Sequence, residues 1–232
     1  MFTNEKEINR AIQAAVNQAN KVKNSRLCIK PHTINKKTHF IGGWYINKNV
    51  CTDLIKYFEN SPNQTQGVLS LESGKVGVNK KEKLSTDVCI RVGNQDKEIL
   101  NYYEELTKVV EEYKKKYKYC NIQQHEWGMF EDWNLQKYKP KEGYFMKHFE
   151  KTGGVTINRH LAFMTYLNDV RNGGETEFYY QKLKIQPEIG LTLLWGTDWT
   201  FTHRGITSNT ETKYIVTGWY GYLPQNAGRV EK

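Results

Sequence analysis

In the N-terminal half of the chain, apolar residues recur mostly at helical spacing. Over residues 5–22, Ile8, Ile12, Ala15, Val16 and Ala19 fall three or four apart, the period of one helix face. Asn4 can cap this helix, with Glu7 three residues on. Its face of alanines and short aliphatics suits packing on a domain better than insertion into a membrane surface. Short β-rich runs follow at 26–30 and 40–46. The stretch from Asn47 to Asn49 offers capping side chains for a second helix, in which Val50, Leu54, Ile55 and Phe58 share a face until Asn60-Ser61-Pro62-Asn63 stops it. Residues 64–81, rich in Gly, Ser, Gln and Lys, predict a mobile strand or loop, and Leu84, Val88, Ile90 and Val92 predict a strand at 84–92. A long helix is expected over 96–118, where Ile99, Tyr102, Tyr103, Leu106, Val109, Val110, Tyr113 and Tyr117 form one stripe. An aromatic stripe at that spacing reads as core.

From about residue 122 the period turns to that of strands, with the spacing of an all-β barrel. Helices followed by a strand-rich half predict an α+β chain: a double-stranded β-helix (jelly-roll) core with N-terminal helices packed on one face. No repeat or linker divides the 232 residues. A single domain is therefore expected, with 1–121 as a support region and 122–232 as the core.

Composition narrows this picture. Hydrophobic content of 38% and aromatic content of 13% are those of a globular chain. No apolar run approaches the roughly 20 residues of a spanning helix. The charged start, Met1 to Glu7, lacks the apolar core of a signal peptide, so the expectation is a cytoplasmic protein with no membrane partner. Cys28, Cys51, Cys89 and Cys120 are scattered without a C-x-x-C pair and read as reduced, mostly buried thiols. The net charge is +9. Lysine runs such as Lys80-Lys81-Glu82-Lys83 and Lys114-Lys115-Lys116 sit beside acids or on helix faces, so the charge reads as solvated surface rather than a nucleic-acid footprint.

The candidate chemistry begins at His148-Phe149-Glu150. Residues i and i+2 point to one face of a strand, so His148 and Glu150 can enter one cavity while Phe149 packs behind. A second histidine, His203, can complete two imidazoles and a carboxylate. That set is the facial triad of non-haem Fe(II) oxygenases, with open positions for a co-substrate and O2.

Around this triad the residues resemble a family. Arg159-His-Leu-Ala-Phe-Met-Thr-Tyr-Leu-Asn-Asp169, then Gly173-Gly174-Glu175-Thr176-Glu177-Phe178, is similar to the central barrel segment of prolyl 4-hydroxylases. So are Pro187-Glu-Ile-Gly190-Leu-Thr-Leu-Leu-Trp195, His203-Arg-Gly205 and Lys213-Tyr-Ile-Val-Thr-Gly-Trp-Tyr220. The resemblance covers roughly 133–222 in the family's own order. It implies Fe(II), 2-oxoglutarate and O2 as metal and co-substrates, with ascorbate as an accessory reductant. It implies His148, Glu150 and His203 as the metal ligands and catalytic centre, although the family has Asp where this chain has Glu150.

The same resemblance makes Lys213 the cation for the far carboxylate of 2-oxoglutarate, with Tyr138, Tyr166 and Thr217 lining that pocket. It puts Trp219, Arg159 and Tyr144 on the substrate side, and residues 64–81 over the active-site mouth. The family tyrosine lies three residues before the proximal His. Here Tyr144 lies four before and Phe145 three before, so a bulge or a substitution is required. Gly221 stands where the family often has His. The implied reaction is hydroxylation of a prolyl residue in a peptide or protein, with release of succinate and CO2. A hydroxylase of a free amino acid or nucleobase, and a jelly-roll binding module that has lost catalysis, stand as alternatives. Against the nucleobase reading, the segment between His203 and Lys213 lacks the two arginines usual in such enzymes.

Overall fold

The structure is a computed structural model that describes residues 30–32, 39–70, 76–122 and 126–222. The helix expected at 5–22, most of the strand expected at 26–30, and Cys28 lie outside the described residues. In chain order the first half contains β1 (Lys30–Pro31), β2 (Gly42–Tyr45), α1 (Lys48–Asn60), β3 (Thr65–Gln66), β4 (Leu69–Ser70), β5 (Val76–Gly77), β6 (Lys83–Leu84), β7 (Thr86–Ile90) and α2 (Lys97–Lys116). The second half contains β8 (Trp127–Gly128), β9 (Trp133–Tyr138), β10 (Gly143–Tyr144), β11 (Arg159–Tyr166), β12 (Thr176–Phe178), β13 (Leu183–Ile185), β14 (Leu191–Gly196), β15 (His203–Gly205) and β16 (Lys213–Tyr222).

Both helices form where capping and periodicity put them. The Asn47 side chain accepts a hydrogen bond from the Asn49 amide and opens α1. Lys114, Lys115 and Lys116 close α2 at the end where the helix dipole favours cations. The expected strand at 84–92 divides at Ser85, because β6 pairs with β10 while β7 joins the large sheet through β9.

That large sheet runs β1-β2-β14-β11-β16-β9-β7-β3, with β8 added to β16, and all its pairings are antiparallel. A smaller sheet runs β13-β12-β15. Alternation on the central strands separates two apolar layers. Trp133, Leu135, Leu161, Phe163 and Val216 pack with Leu54 and Phe58 of α1 and with Ile99, Tyr102 and Leu106 of α2. Tyr138, Ala162, Met164, Tyr166, Trp195 and Ile215 pack with Phe178 and Ile185 of the small sheet. This is the jelly-roll with helices on one face. A one-residue slip of any central strand would exchange the two layers, so the register that builds the core also aims the inner residues into the barrel.

The turn before β12 needs Gly173 and Gly174, whose φ angles are +76° and +79°. Two surface expectations change. Of the described cysteines only Cys51 is buried; Cys89 is exposed and Cys120 half-buried. Lys83, the last member of a run read as solvated, is 3% exposed. It stands one strand alternation from Ser85 and two from Asp87, and all three turn inward together.

Candidate metal centre and active site

His148 and His203 lie 55 residues apart in the sequence and face each other as an isolated antiparallel bridge. The His148 amide donates to the His203 carbonyl and the His203 amide to the His148 carbonyl, each at 2.9 Å. Glu150 is held by its own amide on the Thr197 carbonyl at 3.1 Å. Each imidazole has its Nδ1 against a carbonyl, Met146 at 3.0 Å for His148 and Phe201 at 2.9 Å for His203. This fixes the tautomer and leaves both Nε2 atoms turned to the centre. Glu150 Oε1 lies 3.7 Å from His148 Nε2 and 3.3 Å from His203 Nε2. One ligand atom from each residue falls within 4.8 Å of the others. Burial, with His203 nearby, lowers the His148 imidazole to about 4. Burial alone would raise the Glu150 carboxyl, but the His203 hydrogen bond and the charges of His148, His203 and Arg159 outweigh it and hold it at about 2. A neutral imidazole and an ionised carboxylate are what a divalent metal requires of its ligands. The donor set therefore fits Fe(II) in the facial arrangement.

The outer oxygen of Glu150 is also committed. Trp219 Nε1 donates to Oε2 at 2.8 Å, and the Arg159 guanidinium stacks 3.7 Å from the Trp219 ring centroid. Arg159 in turn donates to the Glu150 carbonyl at 2.9 Å and grips both carboxylate oxygens of Glu131. Two residues expected on the substrate side thus hold Glu150 instead. The third, Tyr144, stacks on the His148 ring with centroids 3.8 Å apart and planes 12° apart. This is the position four before His148, and the ring reaches it from β10 as a regular strand residue.

The residues expected around the co-substrate line the inner face of the barrel. On β16, Lys213, Thr217 and Trp219 share one face by alternation, and Lys213 is opposite Tyr138 while Thr217 is opposite Met164. The Lys213 ammonium is buried, donates to the Gly174 carbonyl at 3.0 Å and lies 5.1 Å from the Tyr138 ring. Burial lowers it from 10.5 to about 8, with Glu175 opposing. The ammonium also lies 3.6 Å from where a Cβ on Gly205 would sit, two residues beyond His203 on β15. Tyr166 donates its hydroxyl to Thr176 at 2.7 Å, and Tyr138 donates to Gln136 at 2.8 Å.

Behind Tyr138 and Tyr144 stands a polar cluster that sequence reasoning missed. Lys83 pairs with Asp87 at 2.7 Å, Ser85 donates to Asp87 at 2.8 Å, and Gln136 donates to it at 3.3 Å. Lys83 also lies 5.8 Å from the Tyr144 ring. The alternation of Lys83, Ser85 and Asp87 was the available signal. Gly67 crosses so closely that a Cβ there would collide with Ser85 Oγ, and its amide bonds the Ser85 carbonyl at 2.9 Å.

Comparison with known proteins agrees with this geometry. Residues 133–221 match the family model of the 2OG-Fe(II) oxygenase superfamily. No curated protein matches the chain in sequence. A viral collagen prolyl hydroxylase from Paramecium Bursaria Chlorella virus-1, in complex with 2OG, is similar with a TM-score of 0.57 and 18% identity, covering 83% of this chain and 100% of that one. A Pseudomonas putida prolyl-4-hydroxylase gives 0.59 and 12%, covering 81% and 95%. A Trichoplax adhaerens prolyl hydroxylase in complex with a hypoxia inducible factor peptide fragment gives 0.58 and 17%, covering 95% and 94%. At such identities the structural likeness establishes the fold, and the sequence match establishes the family of the segment that carries the metal centre. Residues 133–221 belong to the 2-oxoglutarate–Fe(II) oxygenase superfamily, and the chain is a 2-oxoglutarate-dependent dioxygenase of prolyl 4-hydroxylase-like fold.

Proposed function

We propose that this protein hydroxylates a prolyl residue in a peptide or protein, consuming 2-oxoglutarate and O2 and releasing succinate and CO2. The observation that carries the reading is the distance between its two charged ends. His203 and Gly205 share a face of β15, about 7 Å apart along a strand, and the Lys213 ammonium sits beside Gly205. A short dicarboxylate bridges that span, one end at the metal ligands and the other on the ammonium. An unpaired charge in such a pocket is strongly unfavourable; Lys213 and the far carboxylate would each supply the other's partner.

The chain's own groups divide the remaining work. His148 and His203 present Nε2, and Glu150 one oxygen, to Fe(II), which when bound supplies the oxidising chemistry of this family. Arg159, Trp219 and Glu131 hold Glu150 so that its carboxylate does not swing as co-substrates exchange. Tyr144, stacked on His148, limits the rotation of that ring. Tyr138, Tyr166 and Thr217 wall the co-substrate pocket and exclude water from it. The prolyl assignment is supported by the substrates named for two of the similar structures, collagen and a hypoxia inducible factor peptide. Incubation with Fe(II), 2-oxoglutarate and a panel of proline-containing peptides tests it. Gain of one oxygen mass on a proline is expected. Oxygen on a free amino acid or a nucleobase, with every peptide untouched, would refute it.

A further inference from the structure

We propose that the exposed aromatic ladder Tyr179, Tyr180 and Trp199, on the outer rim of the segments that carry His203, is a docking strip for an extended, proline-rich peptide bearing acidic side chains. The inference rests on the prolyl reading above and concerns recognition at a distance from the reacting residue. Large aromatics bury area wherever the fold allows, yet these three are 51%, 55% and 58% exposed. They touch in series. The Tyr179 and Tyr180 centroids are 5.2 Å apart at 80°, and those of Tyr180 and Trp199 are 5.6 Å apart at 83°.

Neighbouring rings at right angles form notches, and a proline ring fits a notch of that kind. A polyproline II segment presents such rings already ordered, which is how proline-rich peptides dock in aromatic grooves. The elements bearing the ladder also hold His203. Phe178 pairs with His203, and the next residue, Tyr179, donates its amide to the Thr202 carbonyl at 2.8 Å. Trp199 opens the 3-10 turn that ends at Phe201, whose carbonyl meets His203 Nδ1. Phe178 turns its ring inward to His203, so the ladder lies on the outer side of the segments whose inner side carries that histidine.

Charge supplies the rest of the chemistry. Lys147, next to His148, places its ammonium 4.1 Å from the Tyr179 ring centroid. Lys182 lies exposed in the same turn as Tyr180, and Lys151 approaches Asp198 at 3.9 Å. The other nearby acid, Glu177, is neutralised by Arg204 at 2.7 Å. The rim is net cationic and complements acidic side chains. A single-stranded nucleic acid would also meet aromatics and lysines, but its bases stack on parallel faces, and rings near 80° do not offer a continuous stack.

The test compares peptide lengths. An acidic, proline-rich peptide of about 15 residues spans roughly 45 Å as polyproline II, and a tripeptide with the same central proline reaches only the mouth. In the Tyr180→Ala/Trp199→Ala double variant, KM for the long peptide should rise about ten-fold or more. KM for the tripeptide should stay unchanged, as should the thermal midpoint. An equal rise for both lengths, or none for the long one, overturns the proposal. Calorimetric binding separates the two readings. A long peptide that binds wild type but not the double variant, and gains no oxygen, keeps the strip and discards prolyl hydroxylation. A long peptide hydroxylated equally well by both proteins does the reverse. Failure of the long peptide to bind wild type, or loss in the double variant of oligonucleotide binding alone, overturns the strip.

Discussion

Glu150 reaches one methylene further than the aspartate of the resembling family, and Trp219 takes up its outer oxygen at 2.8 Å. In the proposed site the pair would act as one ligand. Shortening the acid in Glu150→Asp pulls it away from Trp219, and Trp219→Phe removes the donor. A hydrogen bond to a charged group contributes about 1.5–3 kcal/mol. Each variant should therefore bind Fe(II) roughly 10–100-fold more weakly in an anaerobic titration, whereas His203→Ala should lose stoichiometric binding. Undiminished affinity in Trp219→Phe would show that the indole is only packing. Lys213 makes a pH prediction. Its folded value of about 8 lies below the ordinary 10.5, so the free protein gains stability as pH rises from about 8 through 10.5. Binding of a dicarboxylate needs the ammonium, so affinity for 2-oxoglutarate should fall as pH rises through about 8. In Lys213→Arg that fall should vanish, because a guanidinium stays charged. A pH-independent affinity in wild type would remove Lys213 from the pocket.

At the scale of elements, the short strands around Lys83 join the mouth to the barrel. β6 pairs with β10, which carries Tyr144, while Gly67 lies across Ser85. Removing one partner of a buried ion pair costs about 3–5 kcal/mol by leaving the other charge unpaired. Asp87→Ala should lower the thermal midpoint by roughly 6–20 °C for a chain of this size. Lys83→Met/Asp87→Leu should recover most of it. A double variant as unstable as the single would mean that Ser85 and Gln136, not Lys83, need the carboxylate. These elements were the least legible in the sequence. Asn47 and the stripe from Ile99 to Tyr113 announced both helices, because local capping and period decide them. Lys83 sat in a run of charge, and nothing local distinguishes a solvated lysine from one whose strand turns it inward. The grouping of His148 and Glu150 was legible because His148-Phe149-Glu150 encodes its geometry in its own alternation. The Trp219 bond to Glu150 was not, since the two meet only through a pairing 69 residues long.

For the whole molecule, the helices and the small sheet close on opposite faces of the large sheet, and each apolar layer draws on distant parts of the chain. Among the described residues no helix is long and apolar enough to cross a membrane. Occupation of the centre should stabilise the entire fold. With Fe(II) and 2-oxoglutarate at about 100 times their dissociation constants, binding to the native state alone adds about 2.7 kcal/mol per site. The midpoint should rise by several degrees in wild type and not in His203→Ala, and a chelator should reverse it. A rise of equal size in His203→Ala would place the metal elsewhere.

The reciprocal backbone bonds between His148 and His203 carry a consequence for the order of events in folding. Both histidines come from strands that meet only after the 54 residues between them have been laid into two sheets. Loop closure on that scale comes late, after local helices have formed. The ring of bonds is therefore a seam that shuts after the helices, and metal capture reports its shutting. In a refolding experiment, helical signal from α1 and α2 should appear before the chain can retain Fe(II). In native-state hydrogen exchange, the amides of His148 and His203 should become protected together when the metal is added.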